Sequence, residues 1–125
     1  MVQAHFRNGS WSEPEIKPVE NLSLHPGAHV FHYSSEVFEG LKAYLWEDGS
    51  ARIFRLDMHA ARMARSVEHL YLPFPGEDVF RETVKDLVAK NRESIPEAPG
   101  ALYIRPAIIG TEVNIGAAGT GSGEA

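Results

Sequence analysis

The chain contains no cysteine. Disulfides, thiolate nucleophiles and Cys-ligated zinc are therefore excluded. It also has no apolar run approaching the ~20 residues needed to span a bilayer, so a membrane is not an expected partner. Residues 1–6 show no basic stretch leading into an apolar block, so no secretory leader is expected and the cytosol is the expected compartment. Basic residues are few and scattered. They number 12 against 17 acids, for a net charge of −5, and Arg62 with Arg65 is the one notable pair. That distribution lacks the clustered positive charge that nucleic acid selects.

What is present is an ordinary globular composition. With 43% hydrophobic and 23% charged residues over 125 positions, the chain is expected to form one domain with a real core. Asn8-Gly9 signals a tight hairpin, with a return strand in residues 11–16 that Pro14 and Pro18 confine to an edge. Pro26-Gly27 marks a turn. Residues 28–33 then read as a strand with His29, Phe31 and Tyr33 on one face, and Ser34 or Ser35 as the cap of a short helical turn through Phe38 that ends at Gly40. Residues 41–46 and 51–54 flank Glu47-Asp48-Gly49-Ser50, a second hairpin signal.

Two helices follow. Asp57 is read as the cap of the first, whose apolar stripe is Leu56, Ala60, Met63, Val67 and Leu70. Pro73 and Pro75 stop it. The second opens at Gly76-Glu77-Asp78 with acid at its start and Lys90 and Arg92 at its end, as the helix dipole favours. Its stripe is Phe80, Val84, Leu87 and Val88, with Asp86 and Lys90 spaced for an ion pair. Residues 101–109 form a last β-type run, broken or placed at an edge by Pro106. Residues 116–125 are Gly/Ala/Ser-rich and read as a flexible tail. The expected fold is α+β: a mostly antiparallel, twisted sheet packed with two main helices, over residues 1–115.

The stretch His32-Tyr33-Ser34-Ser35-Glu36-Val37-Phe38-Glu39-Gly40-Leu41-Lys42-Ala43-Tyr44 organises the rest. It sets aromatics, acids, a glycine and a lysine between the Pro-Gly turn and the hairpin, a mixture suited to the wall of a small-molecule site. Tyr103 and Arg105, two apart on a strand, point the same way, and a guanidinium fork beside a phenol suits a carboxylate. The competing reading is an edge strand with a polar outer face. Arg62, one helical step off its stripe and flanked by Met58, Arg65 and His69, is either an anion ligand or part of a solvated flank. His25, His29 and His32 invite a metal reading. In a strand, however, His29 and His32 face opposite ways, and no metal site is expected. Lys42 lacks any neighbour that would lower its pKa and reads as an exposed strand lysine rather than a Schiff base. The Gly119-to-Gly123 run lacks the lysine and the strand-loop-helix setting of a phosphate loop.

The organising stretch resembles the His-Tyr-x-x-x-x-Phe-Glu-Gly-x-(Lys/Arg)-Ala segment of branched-chain amino acid aminotransferases, which are fold-type IV pyridoxal-phosphate enzymes. Pro18-Val-Glu-Asn-Leu-Ser-Leu-His-Pro26 looks like the lead-in of that family's eukaryotic-like and actinobacterial branch. Ile53-Phe54-Arg55-Leu56-Asp57-Met58 with Arg62-Met63-x-Arg65-Ser66 is similar to its next block. Tyr103-Ile104-Arg105-Pro106-Ala107-Ile108-Ile109-Gly110-Thr111-Glu112 is similar to the one after.

The resemblance covers only the N-terminal, small domain of the family, the substrate-side wall over a cofactor held mostly by a C-terminal domain. It implies that Arg62 binds the phosphate of pyridoxal 5′-phosphate, and that Tyr33, Phe38, Tyr103 and Arg105 line the substrate pocket. It implies branched-chain amino acids, 2-oxo acids and glutamate as substrates, the C-terminal cofactor domain as a partner, and a homodimer. The family's Schiff-base lysine sits in a Gly-Asn-Tyr-Lys-like motif absent here, and Lys17, Lys42, Lys85 and Lys90 lack that context. The chain is accordingly expected to be a domain or fragment that contributes no catalytic lysine, does not hold the cofactor alone and is inactive alone. A D-amino acid aminotransferase or lyase of the same fold type, and a non-catalytic dimerisation or binding module, are the alternatives.

Overall fold

The computed structural model describes residues 1–115, so the expected tail lies outside the described residues. An N-terminal arm carries two small antiparallel pairs. β1 (Val2–Gln3) pairs with β4 (Glu15–Ile16), and β2 (Phe6–Arg7) with β3 (Ser10–Trp11). Asn8 and Gly9 join β2 to β3 with φ of 52° and 81°, the left-handed pair that a two-residue hairpin requires.

The body begins with α1 (His29–Tyr33), followed by β5 (Glu36–Phe38), β6 (Leu41–Leu45) and β7 (Ala51–Ile53). Two long helices, α2 (Leu56–His69) and α3 (Glu77–Lys90), and a 3₁₀ turn (Arg92–Ser94) precede β8 (Leu102–Ile104) and β9 (Ala107–Ile109). β6 lies between β7 and β8, and β5 pairs with β9, all antiparallel. The register runs through both sheets unchanged: Leu41 faces Ile104, and Phe38 faces Ala107. β5–β6 and β8–β9 are therefore one long ribbon, interrupted where Pro106 has no N–H to give. Glu39 and Gly40 lie at that interruption, and Glu39 N donates to Pro106 O at 2.9 Å.

Along the ribbon Val37, Glu39, Leu41 and Ala43 are buried, while Glu36, Phe38 and Lys42 are exposed. The period is thus a clean two, and the mixed appearance of the stretch comes from a carboxylate at an inward position. The inward side packs on α2 and α3. Val37, Leu41, Ala43 and Ile104 meet Ala60, Met63 and Val67 of α2 and Phe80, Val84 and Val88 of α3, with Leu72 and Ile95 closing the cluster. The expected α+β architecture, with an antiparallel twisted ribbon under two main helices, is the one formed.

Several local expectations are corrected. Residues 29–33 are a helix, not a strand. Its leading donors are taken by distant carbonyls, His29 N by Glu112 O at 2.8 Å and Val30 N by Gly110 O at 2.9 Å, which satisfies the orphan N–H groups of a helix start. Residues 36–38 are a strand, not a helical turn, because β9 supplies the ladder. Ser34 ends α1 in a left-handed conformation (φ 53°) rather than starting a helix. The position before α2 is Arg55, also left-handed (φ 53°). Asp57 lies in the first turn, where it faces Arg81 of α3 at 3.7 Å. Arg81 also takes Glu77 and Asp78, and Lys85 takes Glu82; these, not Asp86 with Lys90, are the ion pairs of α3.

Candidate functional site

The tripeptide Phe38-Glu39-Gly40 sends its side-chain positions alternately to the two faces of the ribbon, and each has a separate task. Phe38, on the outer face, is capped by Arg105, whose guanidinium carbon sits 4.5 Å from the ring centroid. The same guanidinium lies 5.3 Å from the Tyr103 ring centroid, and its Nη2 donates to Tyr103 Oη at 2.7 Å. Stacking and hydrogen bonding together fix a fork that would otherwise sample many rotamers. Gly40 faces Arg105 across the ribbon and makes the room. A Cβ there would stand 2.2 Å from Tyr103 Oη and 3.1 Å from its Cζ.

Glu39 points inward and is 2% exposed. A buried carboxylate needs charged or hydrogen-bonding partners, and Glu39 has both. Its Oε1 accepts from Arg62 Nε at 2.6 Å, and its Oε2 accepts from Arg62 Nη2 at 2.6 Å and from His59 Nδ1 at 2.8 Å. An ionised carboxylate only accepts, so Nδ1 of His59 carries the proton. The Arg62 hydrogen bonds hold Glu39 below its ordinary value of 4.5 against the opposing effect of burial, with His59 adding in the same direction. Glu39 in turn holds Arg62 more firmly protonated.

A carboxyl whose folded pKa lies below its unfolded one stabilises the fold at pH above the unfolded value, and that stability is lost as pH falls through the folded value. Urea-unfolding midpoints of the wild-type chain are expected to be flat above about pH 5 and to fall below it. Glu39→Gln is expected to have a lower midpoint at pH 7 and a shallower acid limb. A variant with the wild-type acid limb would remove Glu39 from this role.

Arg62 shares a concavity of about 450 Å³ with Arg65, Ser66, His69, Val37 and Leu70. Three of these follow Arg62 at helical spacing on one flank of α2. Met58, expected on that flank, is exposed and outside the concavity. Of the residues expected to form a site, the structure brings Phe38, Tyr103 and Arg105 into contact. Tyr33 stands apart from them: its Oη donates to Ile115 O at 2.6 Å, and its ring lies 4.6 Å from that of His29. Arg62 reaches the same tripeptide from the helix side. Glu39, Gly40 and His59 went unrecognised in the sequence. The available signal was the acid at an inward position of an otherwise apolar alternation. Among the described residues, no group of three or more His, Asp or Glu is placed to hold a metal ion. His29 is buried, with Nδ1 against Ser35 Oγ, and His32 Nε2 lies 2.9 Å from Pro26 O. No helix among the described residues is long and apolar enough to cross a membrane. Lys42 is exposed and pairs in register with Tyr103.

The two arginines hinge on three consecutive residues, and these lie inside a stretch that a family model matches. The family model for amino-transferase class IV matches residues 36–123. The chain belongs to this family. The cytosolic branched-chain-amino-acid aminotransferase of Rattus norvegicus is 45% identical over 107 residues, 85% of this chain and 26% of that protein. The Mycobacterium tuberculosis branched-chain-amino-acid aminotransferase is 42% identical over 119 residues, 93% of this chain and 32% of that protein. The solved branched-chain amino acid aminotransferase of Escherichia coli superposes with a TM-score of 0.65 at 26% identity, covering 93% of this chain and 36% of the other. The chain thus spans no more than about a third of the length of the curated relatives it matches. Its α+β architecture is that of the small domain of fold-type IV enzymes, and both eukaryotic and mycobacterial relatives are among those it resembles.

Proposed function

We propose that the chain is the N-terminal, substrate-side domain of a branched-chain amino acid:2-oxoglutarate aminotransferase. One observation carries the reading: a single tripeptide, Phe38-Glu39-Gly40, organises two guanidinium groups, Arg105 with Tyr103 on one side and Arg62 on the other. Two separate anion sites suit a phosphate-bearing cofactor and a substrate carboxylate. Arg62, with Arg65 and Ser66 beside it in an open concavity, has the donor chemistry for a phosphate. Pyridoxal 5′-phosphate, when bound, supplies the electron sink that allows an amino group to pass between an amino acid and a 2-oxo acid.

The chain's own residues bind and orient. Arg105 and Tyr103 offer a charged fork and a phenol to a carboxylate. Phe38, half exposed, offers apolar wall to a Leu, Ile or Val side chain, while Tyr33, turned to Ile115 O, is a lining residue by the resemblance alone. A guanidinium, a phenol and a phenyl ring are poor bases near neutral pH, so the reading assigns transfer of the α-proton to a lysine of a C-terminal domain. Phe31 and Phe54, outside the pocket, are more than half exposed, as are side chains that pack against further protein. We assign them to that domain and to the second subunit of a homodimer in the cytoplasm.

The full-length gene product carrying this domain is expected to form glutamate from leucine, isoleucine or valine with 2-oxoglutarate, and to do so faster than it uses D-alanine. A faster rate with D-alanine would replace this reading with that of a D-amino acid aminotransferase.

A further inference from the structure

We propose that Glu39 is a positioning residue that aims the guanidinium of Arg62 at an anionic ligand, with His59 holding the Glu39 carboxylate in place. A guanidinium has five N–H donors in a planar fork. Glu39 takes the side edge, Nε–H and one N–H of Nη2, each at 2.6 Å. The end edge, one N–H of Nη1 and the remaining one of Nη2, has no protein acceptor among the described residues, and neither has the other N–H of Nη1. That end edge matches the two-point geometry of a phosphate or carboxylate. The Arg62 side chain is 60% exposed while Glu39 is 2% exposed, so an inner anchor holds an outer donor group. His59 is also well covered, at 18% exposure, and its Nδ1 hydrogen bond keeps Oε2 from turning away from Nη2. The anchor itself is fixed from behind, since Glu39 N donates to Pro106 O in the ribbon that also carries Arg105. This inference rests on Arg62 being the phosphate anchor, and it adds what makes that anchor rigid.

Two accounts of Glu39 predict opposite signs. If its charge merely offsets that of Arg62, removing the charge frees the arginine and tightens anion binding. If Glu39 aims the fork, removing it weakens binding, because a glutamine amide N–H would face an arginine N–H. The test titrates the 125-residue chain with inorganic phosphate while following the Arg62 side-chain N–H signals by NMR. In the wild type the Nε–H is expected to exchange slowly with water, and phosphate is expected to shift the Nη signals while leaving Nε–H nearly unmoved. Glu39→Gln is expected to speed Nε–H exchange and to weaken phosphate binding on the order of 10-fold, as when a ligand-holding side chain loses its orienting partner. Glu39→Asp, which keeps the charge but retracts it by a methylene, is expected to weaken binding as well, and thermal melts establish that each variant is folded.

Equal or tighter phosphate binding by folded Glu39→Gln overturns the proposal, as does a freely exchanging Arg62 Nε–H in the wild type. Arg62→Gln is expected to abolish the response. If it binds phosphate as the wild type does, or if phosphate leaves the wild-type Arg62 signals untouched, the anchoring role of Arg62 itself falls.

Discussion

Replacing Met63 with alanine is expected to cost about 3 kcal/mol of folding free energy, the usual result for emptying a fully buried long side chain. Met63 is 1% exposed and lies on α2 in the middle of the cluster that joins both helices to the ribbon. Domains of this size have only about 5–15 kcal/mol to lose, so the change removes a large fraction of the stability and lowers the midpoint of a thermal melt by roughly 10 °C or more. Met58 on the same helix is 60% exposed, and Met58→Ala is expected to stay within about 0.5 kcal/mol of wild type. Urea unfolding of the two variants side by side checks this. Equal stabilities would mean that α2 does not present the 60-63-67 stripe to the sheet. The result also bears on function, because Met63 follows Arg62 directly, and a helix that shifts to fill a cavity carries the guanidinium with it.

Gly40→Ala is expected to disorganise the Tyr103–Arg105 pair at little cost to the fold. The added Cβ would lie 2.2 Å from Tyr103 Oη, so the ring has to leave. It can do so because it is 52% exposed. The stability loss should therefore stay near the low end of overpacking, about 1 kcal/mol. The loss at the site is larger. Once the ring swings out, the Arg105 Nη2 hydrogen bond to Tyr103 Oη is broken and the phenol no longer stands beside the fork. Carboxylate affinity in the full-length enzyme is expected to fall on the order of 10-fold, the worth of one hydrogen bond to a charged group. Tyr103→Phe removes the atom that the new Cβ would strike, so the stability effects of Gly40→Ala and Tyr103→Phe should couple rather than add. Strict additivity would show that the two residues do not meet. The φ of Gly40 is not in the left-handed region, so the requirement for glycine is one of space and not of backbone strain.

Both changes act on a short stretch whose meaning differs from residue to residue. Phe38 stacks on Arg105, Glu39 grips Arg62 and His59, and Gly40 leaves room for Tyr103. The outer-face pair Tyr103 and Arg105 was legible in the sequence because two residues apart on a strand share a face. From pattern Arg62 was legible only as an arginine off an apolar stripe, its phosphate role coming from the resemblance, and its bond to Glu39 spans 23 positions. An acid in an alternating run does not announce its partner. His59 was hidden for the same reason.

Local pattern alone settled the elements whose stability is local. The 3.6-residue stripes of α2 and α3 fixed which faces are buried, and the Asn8-Gly9 and Asp48-Gly49 turns fixed two hairpins, because both depend on residues a few positions apart. The tertiary structure decided the rest. Residues 29–33 became helix because carbonyls of Gly110 and Glu112 meet its first donors, and residues 36–38 became strand because residues 107–109 run beside them. In each case the deciding hydrogen-bond partner comes from the far end of the described chain. Backbone polarity must be satisfied somewhere, and for these segments the sequence neighbourhood does not say where.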